Sequence, residues 1–365
     1  MRFLVHFSRI FVGILFIISG LIKLNDPIGF SYKLDEYFSV AVFNIPFLLP
    51  FTLALALFVV ILEVVLGVML LVGFKPKFTV WSLLLLVVFF TFLTFYSAFY
   101  NVVKDCGCFG DALKLTPWQS FTKDIVLLIF ILILFFGRRY INTIINQKFA
   151  FVASVLGLLA SCYLGYYVIN HLPVIDFRPF AIGKNIQKGM EFPAGAQKSE
   201  YEMIFVYKVN GANKEFSEKE LMNIPAGATF VERKDKVIKE GYVPPIHDFT
   251  LEINDTDYTQ EILAEPKVIF IVMYDLLKTD ANATQKLPDF YKKAMAAGYK
   301  VIALSASDKT LIEKFKKENN LTLDFYFCDA TTLKTIERSN PSIVVVNKGT
   351  IMQKAHFNDL EKIKL

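Results

Sequence analysis

The sequence predicts a membrane-spanning α-helical bundle in roughly its first 170 residues, followed by a small β-rich segment and an α/β domain outside the bilayer. Three observations predict it. The 365-residue chain is 54% hydrophobic, with a mean hydropathy of +0.45, which is too apolar for an ordinary soluble enzyme. Its apolar residues are gathered into five runs, each near the ~20 residues a helix needs to cross a hydrocarbon core. Beyond about residue 175, Pro173 and Pro179 break the helical pattern and charged residues become frequent.

The first run, residues 10–22, follows the basic residues Arg2 and Arg9, so a cleaved leader is the competing reading. No small-x-small cleavage site and no lipobox cysteine follows it, and Lys23, Asp26 and Pro27 end it, so an uncleaved span is expected. Further spans are expected at 47–73, 78–99, 118–136 and 149–171. Residues 1–175 hold 12 Lys/Arg against 7 Asp/Glu, so the whole net charge of +5 lies there, and the remainder balances 27 against 27. A strongly basic soluble face is thereby excluded, and nucleic acid with it as a partner. Arg2, Arg9, Lys75, Lys77, Arg138, Arg139 and Lys148 fall on one side of a five-span arrangement. The positive-inside rule then places the N-terminus in the cytoplasm of a multi-pass inner-membrane protein, with the C-terminal half exported to the periplasm.

In that half, YEMIFVYKVNGANKEF (201–216) sets Asn210-Gly211 between two strand-like runs, the signal of a type I′ hairpin. A similar alternation from 228 to 242 predicts a second hairpin around Lys234-Asp235. The expected role of this segment is a spacer. From His247 strand and helix alternate: strands at 267–273, 299–304 and 342–346, helices at 284–297 and 308–318, and an edge strand at 350–354 after Asn347-Lys348-Gly349. The order is that of an α/β sandwich.

The opening HDFTLEINDTDYTQEILAEPKVIFIVMYD, and Asn340-Pro341 ahead of the SIVVV strand, resemble the TlpA-like branch of the thioredoxin fold. The resemblance implies a cis-proline at Pro341. It fails where that family keeps its Cys-x-x-Cys, because residues 275–280 read Asp, Leu, Leu, Lys, Thr, Asp. A dithiol reaction needs two thiols within disulfide reach, so no thiol exchange is expected of this domain by itself. Its one cysteine, Cys328, follows an aromatic strand-like run and is expected to be a buried structural thiol.

The close cysteine pair is Cys106-Gly107-Cys108, between the third and fourth spans. In an oxidising compartment it would be a disulfide or a redox dithiol, and the single intervening residue makes the ring tight and labile. Zinc is not expected, since there is no second cysteine pair and His6, His171, His247 and His356 are scattered. CGCFGD (106–111), with Arg9, Gly13, Phe16, Gly20 and Lys23 in span one, Asp26-Pro27-x-Gly29-Phe30 after it, and Glu63 with Leu66-Gly67 in span two, resembles the DoxX/MauE superfamily of redox-associated membrane proteins. The resemblance covers about residues 5–140 and implies a four-helix core. It also implies quinone-linked oxidation, or disulfide formation in exported partners.

The domains expected are therefore a four-helix membrane domain (1–140), a fifth span (141–175), a β-rich linker (176–245) and a thioredoxin-like domain without its Cys-x-x-Cys (246–365). Glu63 lies near the middle of span two, where an ionisable group is costly and faces the bundle interior or a water-filled cavity. It is either a proton carrier for quinone chemistry or a hydrogen-bonding group between helices. Lys23 is expected closer to the outer surface, and Asp124 near the outer start of span four. Cys162, in the outer half of span five, is expected to be a small packing residue, with a resolving thiol as the other reading. Two functions remain. In the first, Cys106 and Cys108 exchange electrons between an exported thiol partner and the quinone pool, with Glu63 moving protons. In the second, the chain is a non-catalytic subunit whose thioredoxin-like domain binds an exported partner.

Overall fold

The computed structural model describes residues 1–103, 109–143, 146–197, 200–209, 211–225, 227–239 and 241–365. Among the described residues, five helices are long and apolar enough to cross a membrane: Arg2–Asn25, Pro46–Val72, Pro76–Tyr100, Pro117–Phe136 and Gln147–Asn170. The chain is a multi-pass membrane protein. Their labels are α1 (Arg2–Asn25), α3 (Thr52–Val72, led by a 3-10 turn from Pro46), α4 (Pro76–Tyr100), α5 (Pro117–Phe136) and α6 (Gln147–Asn170). The first helix starts at Arg2, well before the expected run at residue 10, whereas the later spans begin and end close to the expected residues, several of them marked by Pro or Gly. Pro76 and Pro117 occupy first-turn positions, where a missing N–H costs nothing. Thr116 and Gln119 close a capping box on α5. Gly73 ends α3 at φ +73°, a conformation open to glycine.

Within the membrane part, one helix is additional to the expected set. α2 (Pro27–Phe38) starts where Asp26 caps the Gly29 N–H and Pro27 takes the first turn. It packs on α3 at the end of the bundle that carries the C-terminal domain, called here the tail end. Helices α1, α3, α4 and α5 enclose an apolar core that includes Val12, Phe16, Leu66, Leu70, Leu83 and Ile131. α6 lies outside it against α3. Large side chains such as Phe58, Leu85, Phe92, Ile129 and Leu159 point outward from the bundle, as lipid-facing positions do.

Basic side chains gather at the opposite end. Arg9, 3% exposed, donates to the carbonyls of Leu70, Leu71 and Asn142, and the Arg2 guanidinium lies over the Tyr140 ring.

A short helix, α7 (Ile186–Met190), follows the last span, and then a three-stranded antiparallel sheet of order β2-β1-β3: β1 (Glu200–Val209), β2 (Ala212–Ser217) and β3 (Thr229–Lys239). The first expected hairpin is present, with Val209 opposite Ala212, although Asn210 lies outside the described residues. The second is not. Residues 229–239 run straight through Lys234-Asp235 as one strand paired along β1, with Lys234 opposite Ile204. Lys234-Asp235 lacks the glycine that marks the first hairpin at Asn210-Gly211, and the free edge of β1 accepts the whole run.

The last part is a seven-stranded sheet of order β10-β9-β6-β7-β8-β4-β5. In chain order its elements are β4 (Glu252–Ile253), β5 (Thr256–Asp257), α8 (Thr259–Ala264), β6 (Val268–Val272), α9 (Ala281–Ala296), β7 (Lys300–Ser305), α10 (Lys309–Glu318), β8 (Asp324–Phe327), α11 (Ala330–Ile336), β9 (Ser342–Asn347) and β10 (Thr350–His356). β6, β7 and β8 are parallel, and β9 and β10 run antiparallel to their neighbours. Every residue of β6 is buried, as a central strand covered on both faces requires. Phe180 and Ile186 join the apolar layer on one face, beside Phe249 and Phe270.

Candidate functional site

The site grows from the contact of α1 with α3. These helices approach closely because glycines face the crossing. A Cβ on Gly67 would lie 2.8 Å from Ile17 Cγ1 and 2.9 Å from the Gly13 carbonyl oxygen, and one on Gly20 would lie 3.1 Å from the Val64 nitrogen. The approach carries Lys23, in the last turn of α1, inward to Glu63. Their Nζ to Oε1 distance is 2.5 Å, and their side chains are 4% and 3% exposed. Lys23, expected closer to the outer membrane surface than Glu63, is buried within the bundle, with its ammonium over the rings of Phe30 and Phe90. A long lysine stem can reach its charge along apolar surface in either direction, and here the partner lies inward.

A second ion pair stands beside the first. Lys123 Nζ is 2.6 Å from Asp124 Oδ1, and the Thr94 hydroxyl of α4 donates to Asp124 Oδ2 at 3.0 Å. Both pairs line one cavity of about 30 Å³ inside the bundle. That volume accommodates one or two waters. Glu63 Oε2 has no hydrogen-bond partner among the described residues.

Lys23 and Phe30 also line an outer cavity of about 100 Å³ at the junction of the bundle with the C-terminal domain. Its walls include Ile22, Phe109, Asp111, Ser120, Arg178 and Arg338. Lys123 lies 5.6 Å from the centre of the Phe109 ring, so the inner ion pairs reach the segment that follows the Cys-Gly-Cys loop. Cys106 and Cys108 themselves lie outside the described residues, as does the loop from 104 to 108.

The C-terminal domain is fixed to this mouth by named bonds. Arg338 donates through Nε and Nη2 to Asp26, at 2.7 Å for the shortest, and reaches Asp111 at 3.3 Å. Burial pushes the Asp26 carboxyl up, but the Arg338 guanidinium outweighs it and holds Asp26 below the usual carboxylate range. Lys334 sits 4.9 Å over the Tyr32 ring of α2. The Asn25 amide exchanges two hydrogen bonds with the Ile175 backbone, and His171, at the end of α6, meets Asp359 at 2.8 Å.

The other cysteines are apart from this site. Cys328 is fully buried, as expected, and burial pushes its thiol up to about 12. Cys162 was expected to pack; it is exposed on the outside of α6. Among the described residues no group of three or more His, Cys, Asp or Glu side chains is arranged to hold a metal ion.

Sequence reading found Glu63 but not its partner, nor the Lys123–Asp124 pair as part of the same site. The available signal was that residues 23, 63, 123 and 124 all interrupt, or stand just inside, otherwise apolar spans.

No curated protein matches the chain. Residues 201–240, which hold the three-stranded sheet, match a family model described as Domain of unknown function (DUF8463). Residues 1–137, which hold α1 to α5 and both ion pairs, match the family model described as Methylamine utilisation protein MauE.

Proposed function

We propose that the protein is a membrane redox protein in which Cys106 and Cys108 exchange electrons with an exported thiol partner, and the bundle exchanges the accompanying protons. Oxidation of two thiols to a disulfide releases two electrons and two protons, so the reaction needs a two-electron acceptor and a proton-accepting group. The acceptor class is a quinone. The supporting observation is the buried Lys23–Glu63 pair on a cavity whose neighbouring ion pair touches Phe109, the residue joined to Cys108. The match of residues 1–137 to MauE supports it as well.

The inner cavity is too small for a quinone ring. The outer one fits a head group better, with Ile22, Phe30 and Phe109 as apolar walls and the buried Ser120 hydroxyl as a donor to a carbonyl oxygen. A bound quinone would supply the sink for two electrons. Lys23 would stabilise negative charge near it, and Glu63 would take or return a proton.

Orientation follows from the positive-inside rule. The end with Arg2, Arg9, Lys75, Lys77, Arg138 and Arg139 is cytoplasmic, and the tail end is exported, where a disulfide persists. The C-terminal domain is a thioredoxin-like fold without the dithiol. Its mixed sheet order and the cis Asn340-Pro341 bond support that reading, and the segment from Asp275 to Asp280 holds no cysteine.

A second reading, a non-catalytic subunit that binds an exported partner, is favoured by that missing dithiol. Trapping the thiols of Cys106 and Cys108 in native membranes, before and after the quinone pool is chemically reduced, separates the two. The redox reading expects the pair to follow the pool. A pair that stays oxidised throughout, together with full function in a Cys106→Ser/Cys108→Ser variant, leaves the subunit reading.

A further inference from the structure

We propose that Glu63 exchanges its proton with the tail end of the bundle alone, along a path through Asp124 and Ser120 on α5. Glu63 is 2% exposed, accepts from the Lys23 ammonium on Oε1 and has no partner for Oε2 among the described residues. It shares the inner cavity with Asp124, and the space between them admits one or two waters on a lining that offers four charged side chains.

Ser120 stands one helical turn before Asp124, so the two lie on one face of α5. It is fully buried, its hydroxyl has no partner among the described residues, and it lines the outer cavity. Lys23 and Phe30 border both cavities, so the partition between them is one side chain thick.

The charged groups facing Glu63 are Lys23 from α1 and Lys123 and Asp124 from α5, while α4 presents the Thr94 hydroxyl that holds Asp124. The relay makes and breaks only O–H bonds. A proton leaves the Glu63 carboxyl for cavity water and passes to Asp124. Ser120 accepts it on oxygen while releasing its own hydrogen to the outer cavity, and Lys23 stays an ammonium throughout. No oxidant is needed.

The other direction is closed. Leu66, Leu70, Leu83, Ile131 and Leu134 form a buried apolar layer there, and the Arg9 guanidinium seals the end by binding three backbone carbonyls. Among the described residues, the layer presents no carboxylate or imidazole to a proton moving that way.

The test uses the full-length protein in vesicles sorted by orientation, tail outward or tail inward, and subjected to an external acid jump. The readout is the infrared carbonyl band of protonated Glu63, assigned by its loss in Glu63→Gln. It requires neither Cys106 nor Cys108, so it stands or falls apart from the redox reading. The band is expected to grow at least about tenfold faster in tail-outward vesicles, a barrier difference of about 1.4 kcal/mol or more. Ser120→Val should slow it while leaving Tm unchanged, and Ser120→Thr should restore it. If Ser120→Val lowers Tm, Asp124→Asn makes the same comparison. Equal rates in the two orientations, a faster response with the tail inward, or a wild-type rate in folded Ser120→Val and Asp124→Asn would overturn the proposal.

Discussion

Glu337 has no exposed surface, yet it is an acid held between two cations, Lys354 at 3.1 Å and Arg178 at 3.5 Å. Asp176 completes the group, accepting 2.7 and 3.0 Å bonds from Arg178 and a 2.8 Å bond from Lys354. Burial raises the pKa of both acids, but Lys354 and Arg178 outweigh it and hold each below the ordinary carboxylate range. Both carboxylates therefore contribute stability above their unfolded pKa near 4, and lose it as pH falls through their lower folded values. Replacing Glu337 by Gln leaves two buried cations sharing one acid. We expect a loss of about 3 to 5 kcal/mol in the C-terminal domain, measured as its thermal unfolding in the full-length protein at pH 7. The loss should shrink at acid pH, where wild-type Glu337 is itself protonated. This network was not legible in the sequence, because it joins residues 176, 178, 337 and 354, whose proximity depends on how the chain after α6 is laid against β10. Glu63 was legible, since a charge in an apolar run needs an interior explanation wherever its partner lies.

The helices were legible as elements because length, apolar content and Pro or Gly punctuation are local properties. How α1 and α3 are rotated against each other is not local, so the pairing of Lys23 with Glu63 across 40 positions could not be read off. The glycines that make it possible were visible at 13, 20 and 67, but only the structure gives them a reason: backbone meets backbone there. A Cβ on Gly67 points at the Gly13 carbonyl oxygen and the Ile17 nitrogen, neither of which can rotate away. Gly67→Val is therefore expected to force α1 from α3, at about 1 to 3 kcal/mol of bundle stability. Lower thermal stability together with a slower rise of the Glu63 carboxyl band would show that the crossing aligns the ion pair. Gly157→Ala on α6 is the control, because it lies away from the α1–α3 crossing and its added Cβ would make only van der Waals contact, 3.4 Å from Val68.

On the scale of the molecule, the sequence indicated two parts joined by a tether, whereas the two parts are bolted together. The carbonyl and amide of Asn25 hold the connecting chain at Ile175, His171 meets Asp359, and Arg338 reaches from the end of α11 to the start of α2. The residues that do this look like ordinary polar and charged surface residues in the sequence, since their partners lie 150 or more positions away. Arg338 is the strongest fastening, because its guanidinium binds Asp26 through two nitrogens and also reaches Asp111, tying the segment after the Cys-Gly-Cys loop to the same point. Its neighbours Lys334 and Tyr32 add a cation over an aromatic face. Arg338→Glu places like charges together and should release the domain from the mouth without unfolding it, since the side chain stands at the domain surface. The loss is expected to be about 2 to 5 kcal/mol of docking energy, seen as faster amide hydrogen exchange in residues 26–38 with unchanged exchange in β6 and β9. The pH sign follows from Asp26, whose folded pKa is lowered: docking is complete above the unfolded carboxylate value near 4 and weakens only as pH falls through the lower folded one. Protection of residues 26–38 that is the same in wild type and Arg338→Glu at pH 7 would show that the domain is held by its other contacts and that Arg338 does not set its position.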